Sequence, residues 1–131
     1  MKKLLIALLV TGVILAGGCA EVATPEQGAP AQIIENITPR EAFTLIQDNE
    51  DNPDFAIIDV RTPEEFAEGH VEDAIIIDFY SESFRRELDT LDKNKTYLIY
   101  CQSGNRSGKA LKIMVELGFK EVYNMSGGII D

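Results

Sequence analysis

Thr96-Tyr97-Leu98-Ile99-Tyr100-Cys101-Gln102-Ser103-Gly104-Asn105-Arg106-Ser107-Gly108-Lys109-Ala110 is the stretch that decides the fold. It opens apolar and β-prone, passes through small and polar residues from Gln102 to Asn105, and takes up a helical pattern from Arg106 to Leu117. Strand, tight loop and helix N-terminus follow in that order. A cysteine at such a junction has its sulfur facing backbone N–H groups and the positive end of a helix dipole. Both favour thiolate over thiol, so a pKa normally near ~8.5 is expected to fall. Ser103, Gly104 and Ser107 keep the loop wall low enough for an anion to sit over the sulfur, and Arg106 offers a guanidinium that can fork onto oxygen atoms. A free Cys at a strand end is often no more than a small buried hydrophobe. So many amides in a loop beside an arginine favour chemistry at Cys101 instead.

On the N-terminal side of this stretch, apolar runs alternate with helical signals. Ile33-Ile34 reads as a short strand, and Thr38-Pro39-Arg40-Glu41 as a capping box with Pro at the first helical position. That helix is expected to bury Ala42, Phe43, Leu45 and Ile46 and to end in Asp48 to Pro53. Phe55 to Val60 has the composition of a strand buried on both faces. Thr62-Pro63-Glu64-Glu65 repeats the capping arrangement before a short helix that ends at Gly69. Ala74 to Asp78 is the next expected strand, and a helix runs from about Ser81 through Phe84 to Leu88. Beyond Cys101, the long helix turns Ala110, Leu111, Met114 and Leu117 inward, Gly118 stops it, and Val122-Tyr123-Asn124 is the last strand. Strands alternating with helices predict an α/β fold with a parallel sheet and a ligand site beyond the carboxyl ends of the strands. Asp59 and Cys101 both lie at such ends.

Cys101-Gln102-Ser103-Gly104-Asn105-Arg106-Ser107 resembles the active-site loop of single-domain rhodaneses, sulfurtransferases that carry sulfur as a cysteine persulfide. A second segment agrees: Asp59-Val60-Arg61-Thr62-Pro63-Glu64-Glu65-Phe66, then Gly69-His70-Val71 and Ala74, is similar to the family's Asp-x-Arg, Glu-Phe and Gly-His signature. The resemblance covers about Ile33 to Asp131 and implies a three-layer domain around a mostly parallel sheet of about five strands. There are departures. Glu72-Asp73 stand where the family has Pro-Gly or at least Gly, and the Trp and last helix that many members carry after Gly-Gly do not follow Gly127-Gly128. The resemblance also implies that His70 belongs to the fold signature rather than to catalysis.

Residues 1–18 read as an export signal: Lys2-Lys3, an apolar core from Leu4, and small residues before Cys19. The apolar run is shorter than the ~20 residues of a spanning helix. Leu15-Ala16-Gly17-Gly18-Cys19 resembles a bacterial lipobox, with Ala16 where a large aliphatic residue is usual, and implies lipid on Cys19. Residues 19–32, with Pro25, Gly28 and Pro30, form the expected tether, and residues 33–131 the domain. The protein is thereby expected outside the cytoplasm, lipid-anchored to a bacterial-type membrane. An ordinary cleaved signal or an uncleaved anchor is the alternative. A formal net charge of -10 opposes nucleic-acid binding, and the acidic domain is expected to stand off anionic headgroups. With Cys19 lipidated, Cys101 has no intramolecular partner, and a lone thiol in an oxidising compartment points to chemistry. Two Cys and one His do not make a Cys/His zinc site, and no metal or organic cofactor is expected.

These features together predict a sulfurtransferase. Cys101 would take sulfur from a small donor such as thiosulfate, hold it as a persulfide among the amides of Gln102, Ser103, Gly104, Asn105, Arg106 and Ser107, and pass it to a thiol or protein cysteine. Arg106 would orient the donor's oxygens. Asp59 and Arg61 are either substrate groups or a brace for the loop. Bracing is favoured for Asp59, because a carboxylate facing an anionic substrate repels it. Arg61 has Glu65 four residues on as its simplest partner. Glu64-Glu65 and Glu72-Asp73 read as surface charge, and Lys109 and Lys112 as solvated faces. Gly127-Gly128 either lets the backbone pass close to the loop or ends the last strand. One alternative function is a cysteine-based phosphatase or arsenate reductase, whose tyrosine-phosphatase-type loop holds one more residue between Cys and Arg than the four found here. The other is a non-catalytic binding module, against which the presence of Cys101 argues.

Overall fold

Thr38 and Thr62 start helices in the same way. Each side chain accepts the amide of the Glu three residues on, Glu41 or Glu65, at 3.3 Å, and each Glu accepts the Thr amide in return, at 2.7 and 3.0 Å. These boxes open α1 (Pro39–Asp48) and α2 (Pro63–Glu68). The computed structural model describes residues 30–129, so the expected export signal, Cys19 and nearly all of the tether lie outside the described residues.

The remaining elements are β1 (Ile33–Ile37), β2 (Phe55–Asp59), β3 (Ile75–Ile76), α3 (Phe84–Asp89), β4 (Thr96–Tyr100), α4 (Asn105–Glu116) and β5 (Glu121–Met125). The five strands form one sheet in the order β1-β5-β4-β2-β3, and every neighbouring pair is parallel. The expected mostly parallel sheet is thus wholly parallel. β5, the last strand in sequence, lies between β1 and β4.

Alternation along the strands divides the core into two clusters. Ile58, Tyr97, Ile99 and Val122 face Phe84 and Leu88 of α3 and Ala110, Leu111 and Met114 of α4. Ile57, Leu98, Tyr100 and Met125 face Ala42 of α1, with Phe66 of α2 packed at the margin. Helices therefore cover both faces, as a parallel sheet requires. No helix among the described residues is long and apolar enough to cross a membrane.

The structure differs from the expected elements at Phe43, in β3 and at the start of α3. Phe43 is 61% exposed rather than buried, because Ala42 takes the inward position on α1. It stands beside an apolar hollow of about 270 Å³ that Ile46, Val71, Met125 and Ile129 also line. β3 shrinks to Ile75–Ile76, which pair with Ile58 and Asp59 of β2. α3 begins at Phe84 because Ser81 and the two residues after it form a turn, closed by the Phe84 amide on the Ser81 carbonyl at 3.1 Å. Asp73 has φ +63°, a left-handed conformation normally left to glycine. The residue that departs from the family pattern therefore sits where glycine's freedom is used.

Candidate active site

β4 delivers Cys101 to the carboxyl edge of the sheet, and α4 begins four residues later. Gly104, at φ +91°, turns the chain into α4, and no side chain caps the helix. The amide of Gly104 itself donates to Cys101 Sγ at 3.1 Å. Cys101 is completely buried. Burial pushes its pKa up, but the Ser107 hydroxyl and the amides of Ser107, Ser103 and Gly104 outweigh that and hold the thiol below its ordinary value. Ser107 Oγ is buried and forms no complete hydrogen bond, yet it lies close enough to the sulfur to favour its charge. Gln102, Ser103 and Asn105 are exposed around it.

Arg106 is placed differently from the expected donor clamp. Its Nη1 and Nη2 donate to Glu65 Oε2 and Oε1, both at 2.8 Å, and its guanidinium lies 5.6 Å from the centre of the exposed Tyr80 ring. The fork is onto the protein's own carboxylate. This contact pulls Glu65 down to about 2 and raises Arg106, on which the nearby charge of Cys101 also acts. Glu65 is therefore not simple surface charge. One of its oxygens caps α2 through the Thr62 amide and accepts from Arg106 as well.

The expected Arg61–Glu65 pair does not form. Arg61 is buried against Asp59, donating through Nε at 3.1 Å and Nη2 at 2.8 Å, and Nη2 also reaches the Gly69 carbonyl. Asp59 is fully buried and accepts from the Arg61 amide and from Tyr100 Oη, at 2.9 and 2.8 Å. The Tyr100 oxygen in turn accepts the Val71 amide at 3.0 Å. Burial, with Asp59 adding to it, pushes the Tyr100 phenol up to about 12. Asp59 alternates with Ile58 along β2 and so belongs to the α1/α2 side of the sheet, whereas Cys101 packs with the α3/α4 cluster. His70 stacks on Phe66 at 3.5 Å between ring centres, with Nδ1 2.8 Å from the Phe66 carbonyl oxygen. Lys109 and Lys112 are exposed.

The turn after β5 forms the remaining wall. A side chain on Gly128 would run into the carbonyls of Gln102 and Cys101, and one on Gly104 would meet the Gly127 amide. The Ile129 amide donates to the Cys101 carbonyl at 3.1 Å. Of the two possibilities for Gly127-Gly128, the close backbone approach is the one present. Glu65 and Tyr80 went unrecognised as neighbours of the loop. Glu65 is 41 residues from Arg106, and no local spacing signals that contact.

A sequence profile of the rhodanese-like domain matches residues 42–130. The chain belongs to the rhodanese-like domain family. Membership supports sulfurtransferase-type chemistry in general. Among solved structures, a rhodanese-like domain protein from Staphylococcus aureus is 32% identical, with TM-score 0.62, covering 72% of this chain and 87% of that one. A rhodanese-related protein from Thermoplasma volcanium is 26% identical, with TM-score 0.57, over 75% and 86% of the two chains. Curated relatives named tRNA uridine(34) hydroxylase, from Photorhabdus laumondii and Yersinia pestis, are 39% and 41% identical over 87 residues. That alignment takes in 62% of this chain, but the chain spans only 24% of those proteins' length.

Proposed function

We propose that this rhodanese-like domain moves a sulfane sulfur through a Cys101 persulfide. One observation carries the reading: a fully buried thiol at the start of α4 whose sulfur accepts the Gly104 amide at 3.1 Å. The Cys101 thiolate attacks the outer sulfur of a donor, thiosulfate being the simplest. The S–S bond breaks and its electron pair leaves with sulfite. The persulfide formed is an anion, and the amides of Ser103, Gly104 and Ser107 with the α4 dipole stabilise it. A thiol or protein cysteine then takes the outer sulfur and restores the thiolate. The loop from Gln102 to Ser107 binds the persulfide, and the Asp59–Arg61–Tyr100 group holds the neighbouring strand ends in register. The reaction as written needs no metal or organic cofactor.

A phosphatase or arsenate reductase is less well supported. Its Arg has to grip the oxyanion, and here Glu65 holds Arg106 on both terminal nitrogens. The hydroxylase activity named for the relatives is not carried over, because the matched region is a minor part of them and a net charge of -10 disfavours tRNA.

The proposed setting is extracytoplasmic. Residues 1–18 direct export, Cys19 carries lipid, and residues 19–32 tether the domain to a bacterial-type membrane. Intact mass after incubation with a sulfane-sulfur donor tests the chemistry. Gain of one sulfur atom, absent in Cys101→Ser, is expected. An unchanged mass with every donor would refute sulfur transfer.

A further inference from the structure

We propose that the groove between α4 and the end of β1 takes the sulfur acceptor, and that this acceptor is a small thiol carrying negative charge. The inference rests on the sulfur-transfer reading and names the acceptor class of that same site.

The groove has a volume of about 430 Å³, and Asn36, Gly104, Asn105, Lys109 and Lys112 line it. That size suits a small molecule. Lys109 and Lys112 lie three residues apart on α4 and so share a face of the helix. Both are exposed, and neither joins an ion pair among the described residues. A chain with 22 acidic and 12 basic residues thus leaves two cations unneutralised beside its reactive loop. The sheet brings a third donor. Asn36 of β1 and Asn124 of β5 are register partners, and the Asn124 amide donates to Asn36 Oδ1 at 2.9 Å. With its oxygen engaged, Asn36 has N–H groups left for an anion. Asn124 is 3% exposed, and its own Oδ1 has no hydrogen-bond partner among the described residues, an uncompensated polar group beneath the groove. Asn36, Lys109 and Lys112 all lie outside the two signature segments. Gly104 connects the groove to the chemistry, because it lines the groove and donates its amide to Cys101 Sγ at 3.1 Å. A thiol whose anionic group lies between the lysines is held beside the persulfide. Its thiolate bonds to the outer sulfur, the S–S bond breaks with its electron pair on Cys101, and R–S–S⁻ departs.

The persulfide is loaded from a sulfane-sulfur donor, and its second-order discharge is timed with mercaptosuccinate, 2-mercaptoethanol and cysteamine, which are anionic, neutral and cationic. Lys109→Gln/Lys112→Gln should slow mercaptosuccinate about fivefold or more and leave 2-mercaptoethanol unchanged. Lys109→Glu/Lys112→Glu should slow mercaptosuccinate further and speed cysteamine. Lys95→Gln/Lys120→Gln makes the same change in net charge just before β4 and β5, at the amino edge of the sheet, and should move none of the three. If the groove variants fold poorly, raised ionic strength on the unmodified protein should slow mercaptosuccinate relative to 2-mercaptoethanol. Equal slowing of all three acceptors, no slowing, or the same effect from Lys95→Gln/Lys120→Gln would overturn the groove assignment while sulfur transfer stands. Failure of every donor to place sulfur on Cys101 would overturn the sulfur-transfer reading and the acceptor site with it.

Discussion

At Cys101 two effects of opposite sign meet, and the balance between them is measurable. Burial opposes the thiolate, while Ser107 and the amides of Ser103, Gly104 and Ser107 favour it and prevail. Alkylation by iodoacetamide should therefore show a pH–rate midpoint below the ~8.5 of an ordinary Cys. A midpoint at that ordinary value would count against the loop as an anion site. The linkage has a definite sign. Because the native pKa is depressed, the thiolate's contribution to stability is complete above the unfolded value and disappears as pH falls through the native one. A second prediction at this scale concerns Asp73, an exposed residue held at φ +63°. Asp73→Gly should stabilise the domain by about 0.5 kcal/mol, the relief of left-handed strain outweighing the freer unfolded chain. Asp73→Val should destabilise it, and thermal melts of both variants check the pair.

Among the elements, the strand ends under the site are tied by a buried ion pair. Removing one partner leaves the other charged and desolvated, so Asp59→Ala should cost about 3–5 kcal/mol in urea denaturation. Unchanged stability with lost activity would instead make Asp59 a substrate group. The turn after β5 gives a sterically cleaner test. Gly118 and Gly128 both have positive φ, 86° and 68°, but an added Cβ meets nothing at Gly118 and the Gln102 and Cys101 carbonyls at Gly128. Gly128→Ala should therefore lose about 1–3 kcal/mol beyond the backbone strain the two share, and most of its sulfur transfer. Equal behaviour of the two variants would show that the turn does not bear on the loop. Sequence shows such elements unequally. The boxes at Thr38 and Thr62 were legible because four consecutive residues contain both partners. The Glu65–Arg106 contact joins residues 41 apart, and with Glu65 engaged there Arg61 pairs with Asp59, two residues away; neither outcome follows from helical spacing.

For the whole molecule, the two cysteines should have separate fates. If Cys19 carries lipid, Cys19→Ser should release the domain from membranes with sulfur transfer intact, whereas Cys101→Ser should abolish transfer and leave fractionation unchanged. The acidic domain adds no attraction to headgroups that could mask the first effect. A Cys19→Ser protein that still pelleted after signal cleavage would remove the lipoprotein proposal. The α/β class was legible from alternating apolar runs and helical signals, and the strand order was not, because β1 and β5 pair across most of the domain. That pairing bears on how the protein comes into being. Among the described residues β1 pairs only with β5, and the Cys101 carbonyl accepts the amide of Ile129. During vectorial synthesis neither the sheet nor the anion-holding loop can be completed before residue 129 is made. Non-local parallel pairing of this kind is slow to form. If the chain is exported as proposed, this late closure keeps it open enough to be threaded through a translocation pore.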